Sequence, residues 1–188
     1  MIIMAKNRYA GMVTWSDGNT HEPKSYFKGI ELKQSRMPPV MKNVMSDVIE
    51  GILSGKEVND IEDSVCTIIR NVVDETIEPI DVCMKGKLDR DLSKYKVLSG
   101  PSAGADWANK HIGKNYREGS YFLVTLNNQG KYVAFDDPSE IDGIENIGYR
   151  LMAERFIIKK IEPYFNIMNW SMRKINNTLN GITLTEWL

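Results

Sequence analysis

Hydrophobic and polar positions alternate at the start of the chain and then change period. Lys6-Asn7-Arg8-Tyr9-Ala10-Gly11-Met12-Val13-Thr14-Trp15 carries the strand-favouring residues Tyr9, Val13, Thr14 and Trp15 and stops at the turn formers Ser16-Asp17-Gly18-Asn19. Residues 25–32 read as a second strand, and the polar, glycine-containing loop between them makes an antiparallel pair the simplest join. Side chains alternate between the faces of a strand, so Lys6 and Arg8 are expected on one side and Asn7 and Tyr9 on the other. After Pro38-Pro39 the spacing becomes helical. Val40, Val44, Val48 and Leu53, with Met41, Met45 and Ile52 beside them, mark a helix up to Gly55. A second helix is predicted over about 57–76, burying Ile61, Val65, Ile68, Ile69 and Val72 and turning Asp60, Glu62, Asp63 and Asp74 to solvent.

Residues 79–84 read as a short extended segment. Ala103, Ala105, Trp107 and Ala108 mark a helix ending near His111, whose small residues suit either a close approach of its N-terminus to phosphate or tight helix packing. Residues 120–126 form a strand turned at Asn127-Asn128-Gln129-Gly130, with residues 131–135 as the returning arm. A long helix is predicted over about 148–168, with Leu151, Phe156, Ile157, Ile161, Tyr164 and Ile167 in the core. Pro163 should kink or break it near Glu162. Met168, Trp170 and Met172 read as further core positions. Antiparallel strands, then helices with one small hairpin, define an α+β chain.

Composition narrows the function classes. The 188 residues are 42% hydrophobic and 26% charged, ordinary globular material, with no run near the roughly 18 apolar residues of a membrane span. Residues 1–4 are too short for a signal-peptide core. Cys66 and Cys83, with only two histidines in the chain, supply no metal framework, and a reducing cytoplasmic compartment is the default. The net charge of −1 conceals a segregated distribution. Residues 1–36 carry six Lys/Arg against three Asp/Glu, residues 37–81 carry three against ten, and residues 82–118 carry eight against four. Two basic blocks therefore flank an acidic one. The second basic block, Lys85-Gly86-Lys87-Leu88-Asp89-Arg90-Asp91-Leu92-Ser93-Lys94-Tyr95-Lys96, has the cation density to track a phosphate backbone.

Taken in order, these stretches resemble the C-terminal part of family B DNA polymerases. Lys6-Asn7-Arg8-Tyr9-Ala10-Gly11 is similar to that family's KKRY motif, and Lys28-Gly29-Ile30-Glu31 to its KG-x-E element. Pro38-Pro39 opens a helix where the family often has a Pro. Arg90-Asp91-Leu92 and Tyr95-Lys96, followed by Gly100-Pro101 and an Ala-rich helix, resemble the start of the thumb. Glu154-Arg155-Phe156-Ile157 resembles the late thumb helix, and Gly181-Ile182-Thr183-Leu184 with Trp187-Leu188 the archaeal-type C-terminal end. Their collinearity over nearly the whole chain carries the resemblance.

The resemblance implies palm strands over 1–36 and a thumb over 37–188. It places Lys6, Asn7, Arg8 and Tyr9 at the minor groove of a primer–template duplex, where acceptors present at every base pair let donors sense pairing without reading sequence. It assigns Lys28, Arg36, Lys85, Lys87, Arg90, Lys94 and Lys96 to phosphates. Asn7 stands where the motif has its second Lys, and Ser102 where archaeal relatives have His. The D-x-x-S-L-Y-P-S and D-T-D motifs, which hold the family's two metal ions, do not occur in the chain. No catalytic or metal-binding residue is therefore assigned here, and Mg²⁺ is expected in a companion catalytic chain. The implied partners are primer–template DNA, a large catalytic subunit and, through the assembled enzyme, a sliding clamp; no membrane is implied. The chain is expected to be either a small subunit of a split archaeal-type polymerase, which is favoured and would pair its residues 1–4 with palm strands of the large subunit, or an excised fragment of such a polymerase. A non-catalytic duplex-binding or scaffold protein that retains the thumb is the alternative.

Overall fold

The computed structural model describes residues 1–30, 37–143 and 147–181. Strands Ile2–Ala5 (β1), Arg8–Ser16 (β2) and Asn19–Lys28 (β3) form an antiparallel sheet in that order. Both joins use left-handed backbone: Asn7 at φ 68° in the first, Asp17 at 51° and Gly18 at 81° in the second. Asn and Asp tolerate that region because their short polar side chains bond locally.

The first strand therefore starts later than the alternating pattern predicts. Lys6 and Asn7 sit in the turn, so Lys6 does not share a strand face with Arg8. β1, expected to pair outside the chain, pairs with β2 through Ile2↔Ala10 and Ile3↔Tyr9, and no strand lies on its outer edge among the described residues. β3 starts earlier, at Asn19, and accepts Pro23 because it is an edge strand. Glu31 and Leu32, the predicted end of that strand, lie outside the described residues.

One face of this sheet meets the helices. Ile2, Ala10 and Ile30 are buried in one apolar cluster with Val44, Val48 and Ile49, and Met4 and Phe27 pack against it. Pro39–Ser54 forms α1, with Pro38 and Pro39 at its start and Gly55 at φ 72° bonding back to the Gly51 and Ile52 carbonyls. Val58–Val73 forms α2. Its acidic side is not wholly solvated. Glu62 is buried, and Lys174 of Arg173–Leu179 (α6) reaches Glu62 at 3.8 Å and Asp63 at 2.8 Å.

The long helix runs as Tyr149–Met152 (α4), a π-helical stretch Ala153–Ile158 and Lys159–Ile167 (α5). It does not break at Glu162. Pro163 has no N–H for the carbonyl four residues back, and that carbonyl belongs to Lys159, where the hydrogen-bond register already changes. Ile157, Ile161 and Tyr164 are buried as predicted, Leu151 and Phe156 are half-buried, and Ile167 and Met168 are exposed instead. Trp170 and Met172 pack against the core, Trp170 meeting Phe165 edge-on at 5.6 Å.

A second antiparallel sheet, Met84–Lys87 (β4), Tyr121–Leu126 (β5) and Tyr132–Phe135 (β6), lies between the helical core and Pro101–His111 (α3). Residues 79–82 form a 3₁₀ turn rather than extended chain. The small residues of α3 serve packing on the sheet: a Cβ at Gly104 would lie 3.2 Å from Val124 and 3.3 Å from Ala134. Trp107, Tyr116, Phe122 and Leu88 complete this smaller core.

Candidate nucleic-acid interface

The turn between β1 and β2 sets the first group of donors. Arg8 and Tyr9 begin β2, and the register places Tyr9 directly opposite Lys28 of β3. The Lys28 Nζ sits 5.9 Å from the centre of the Tyr9 ring, whose other neighbour is Tyr26 at 6.2 Å. Gly29 follows at φ 67°, and a Cβ there would overlap the Asn7 carbonyl oxygen and lie 3.1 Å from Arg8 Cγ. Only glycine meets both conditions. The two short sequence elements thus become one surface at one end of the sheet. Lys6, Asn7, Arg8 and Lys28 are exposed there and Tyr9 is half-buried. Arg8 projects from the opposite face to Tyr9 and Lys28, with Lys6 and Asn7 at the edge between them. Among the described residues no carboxylate pairs with Lys6, Arg8 or Lys28.

The second group hangs from β4 and the loop after it. Met84 and Gly86 turn to α3, while Lys85 and Lys87 share the other face. Lys87 lies opposite Tyr121, its Nζ 5.1 Å from the ring centre, and hydrogen bonding to Tyr121 raises the Lys87 pKa. Buried Leu88 anchors the loop, its N–H donating to the Ser120 carbonyl and its carbonyl accepting from Gly119. The Arg90 guanidinium lies over Tyr95 at 5.4 Å. Asp91 caps the short 3₁₀ turn Leu92–Lys94 by accepting from the Ser93 N–H at 2.9 Å and hydroxyl at 2.6 Å, which holds its carboxyl below the usual range. Lys94 faces Glu118 at 3.8 Å, and Lys96 is exposed. Arg36 lies outside the described residues.

The paired carboxylates Asp136 and Asp137 are held by other side chains. Asp136 accepts from Lys114 at 2.6 Å and from the Tyr116 hydroxyl at 2.8 Å, and Lys114 also reaches Glu140 at 2.8 Å. The Lys114 ammonium depresses the Asp136 pKa, while burial above all raises that of Tyr116. Asp137 accepts from the Ser139 N–H and hydroxyl. Among the described residues no group of three or more His, Cys, Asp or Glu side chains could share a metal ion. These residues do not fit the two-metal centre of nucleotide transfer, and no metal-dependent step is assigned to them.

Sequence reasoning missed Lys42 and two aromatic partners. Lys42 sits in the acidic block, yet the first turn of α1 brings it to the cleft that Lys85 lines. Tyr26 acquires its neighbour Tyr9, and Tyr121 its cationic neighbour Lys87, only through strand register, which no local signal carries. Among the described residues no helix is long and apolar enough to cross a membrane.

A search of curated proteins finds no match to the chain. The sequence model of DNA polymerase family B matches residues 1–166, a span holding both sheets, both groups of cations and all but the last residue of α5. On that match the chain belongs to DNA polymerase family B.

Proposed function

We infer that this chain is the DNA-gripping portion of a family B polymerase, with palm strands in residues 1–36 and the thumb in residues 37–188. The observation that carries the reading is the junction of Asn7-Arg8-Tyr9 with Lys28-Gly29. Donors of both sequence elements meet on one exposed end of a sheet, held by the Tyr9–Lys28 pairing and the fit of Gly29 against Asn7. Lys6, Asn7, Arg8 and Tyr9 reach the minor groove of a primer–template duplex. Lys28, Arg36, Lys85, Lys87, Arg90, Lys94 and Lys96 neutralise phosphates, giving an affinity that is independent of sequence and sensitive to salt. A large companion chain supplies the catalytic carboxylates and their Mg²⁺, and the outer edge of β1 meets its palm strands. A sliding clamp joins through the assembled enzyme. The free, buried thiols Cys66 and Cys83 suit the reducing cytoplasm.

Primer extension by the large chain, measured with and without this one, tests the reading. The expected result is a stable complex and extension that depends on both chains. Absence of a complex on size-exclusion chromatography would remove the subunit assignment. Duplex binding without stimulated extension would leave a non-catalytic scaffold.

A further inference from the structure

A cleft of about 300 Å³ opens between the first turn of α1 and the face of the β4–β5 sheet turned away from α3. Met37, Pro39, Ile80 and Leu123 give it apolar walls, and Lys42, Asn43 and Lys85 give it polar ones. The antiparallel register continues the surface along the sheet, because Lys85 pairs with Leu123 and Lys87 with Tyr121. All four side chains share one face, while Met84, Phe122 and Val124 of the other face are buried under α3. Tyr121 is 72% exposed, unusual for a tyrosine in the central strand of a sheet. One side of its ring meets Lys87, and most of the rest is open.

We propose that this cleft and the Tyr121 ring hold an unpaired nucleotide of a DNA strand. The base enters the apolar walls, its phosphate lies between Lys42 and Lys85, and a neighbouring base stacks on Tyr121. Each part of the ligand has a counterpart. Among the described residues neither Lys42 nor Lys85 has a carboxylate partner, so both charges are open to a phosphate. Stacking on an exposed tyrosine suits any base, and cations beside aromatic rings characterise surfaces that bind single strands. The volume is near the lower end of small-ligand sites, enough for one nucleotide and too little for a base pair within a duplex. Negative charge fixes the orientation. Glu78 and Asp81 line a separate cleft across Asn43, so a phosphate is repelled from that side and drawn to the lysines. The Cys83 thiol in the wall is no nucleophile, since burial and then Asp81 push its pKa up to about 12.

The proposal rests on the chain handling DNA and shares Lys85 with the duplex grip, so the test reads the gain from an unpaired tail apart from duplex affinity. The test compares the full-length chain bound to a blunt DNA hairpin, to the same hairpin with a six-thymidine tail, and to a twelve-thymidine strand, by fluorescence anisotropy at low salt. The expected result is about tenfold tighter binding of the tailed hairpin, within the range for a base stacked on an aromatic ring. Tyr121→Ala and Lys42→Gln should each abolish most of that gain, so that affinity for the tailed hairpin falls to near that of the same variant for the blunt one. Tyr121 is exposed and Lys42 half-buried, and unchanged thermal unfolding verifies the fold of both variants. A tail that adds nothing, or a gain that survives both substitutions, overturns the proposal and leaves the duplex grip standing. Binding of the thymidine strand alone, lost in Tyr121→Ala, with no binding of the blunt hairpin, overturns the grip and supports the cleft. No binding of any of the three DNAs overturns both.

Discussion

Replacing Gly29 with alanine should separate two costs that a glycine can conceal. Gly29 adopts φ 67°, and its missing Cβ leaves room for the backbone carbonyl of Asn7. The left-handed conformation costs an alanine about 1–2 kcal/mol. The second cost is steric. The neighbour is backbone, which cannot rotate away as a side-chain tip can, so the sheet must shift by an amount comparable to overpacking, about 1–3 kcal/mol. The sum is about 2–5 kcal/mol, against a typical domain stability of roughly 5–15 kcal/mol. Gly18 supplies the control. It adopts φ 81° with no atom within 4 Å of an added Cβ, so Gly18→Ala should show the conformational cost alone. Urea unfolding of both variants reads the difference, with equal m-values required for the comparison. The shift at Gly29 also parts Tyr9 from Lys28, so duplex affinity should fall in Gly29→Ala and hold in Gly18→Ala. Equal stability losses in the two variants would refute the close approach, and intact DNA affinity in Gly29→Ala would refute its role in assembling the donors.

Lys94 is partly held by Glu118 at 3.8 Å across an exposed surface, so Glu118→Gln should raise duplex affinity slightly, by about twofold or less, in salt titrations. Removing Lys174 with a methionine should loosen α6 from α2 and leave Glu62 buried without its cation, a loss of about 1–2 kcal/mol on urea unfolding. The Cys83 thiol stays protonated in the folded chain up to about 12, whereas unfolding returns it to its ordinary value near 9.0. The folded state therefore binds more protons between those values, and stability should fall as pH rises through that window; Cys83→Ala should flatten the fall. At the acid end the Asp136 carboxyl sits below its ordinary 3.8, chiefly through Lys114, so the tie between Asp136 and Lys114 stabilises the fold above that pH and is lost as pH falls through the lowered value. Amide exchange near Tyr116 should accelerate there, and less so in Lys114→Met.

The helices were the most legible part of the chain because their signals are local. Pro38-Pro39 and Gly55 bound α1, and Val40, Val44 and Val48 are buried along it. The strands at 121–126 and 132–135 were equally plain, with their apolar residues and the Asn127–Gly130 turn. What failed depended on partners distant in sequence. The β1–β2 turn uses Asn7 rather than glycine, so Lys6 and Asn7 read as strand. The start of β3 is polar and holds Pro23, features an edge strand tolerates and a local pattern cannot distinguish from a loop. Glu62 read as solvated because α6, whose Lys174 meets it, lies more than a hundred residues onward. Of the candidate site, the cations were legible by type and order. Their pairing with Tyr9, Tyr95 and Tyr121, and the presence of Lys42 beside Lys85, follow from register and packing alone.

The salt dependence of binding to a primer–template duplex tests the central claim most directly. Anisotropy titrations of the full-length chain over a range of salt should give a straight line of log affinity against log salt. Single substitutions of Lys6, Arg90 or Lys96 by alanine should each lower the slope by about one unit for a lost phosphate contact, or weaken binding without changing it for a minor-groove contact. Lys6 belongs to the second case and the other two to the first. Slopes identical to wild type for Arg90→Ala and Lys96→Ala, or no duplex binding at low salt, would contradict the account.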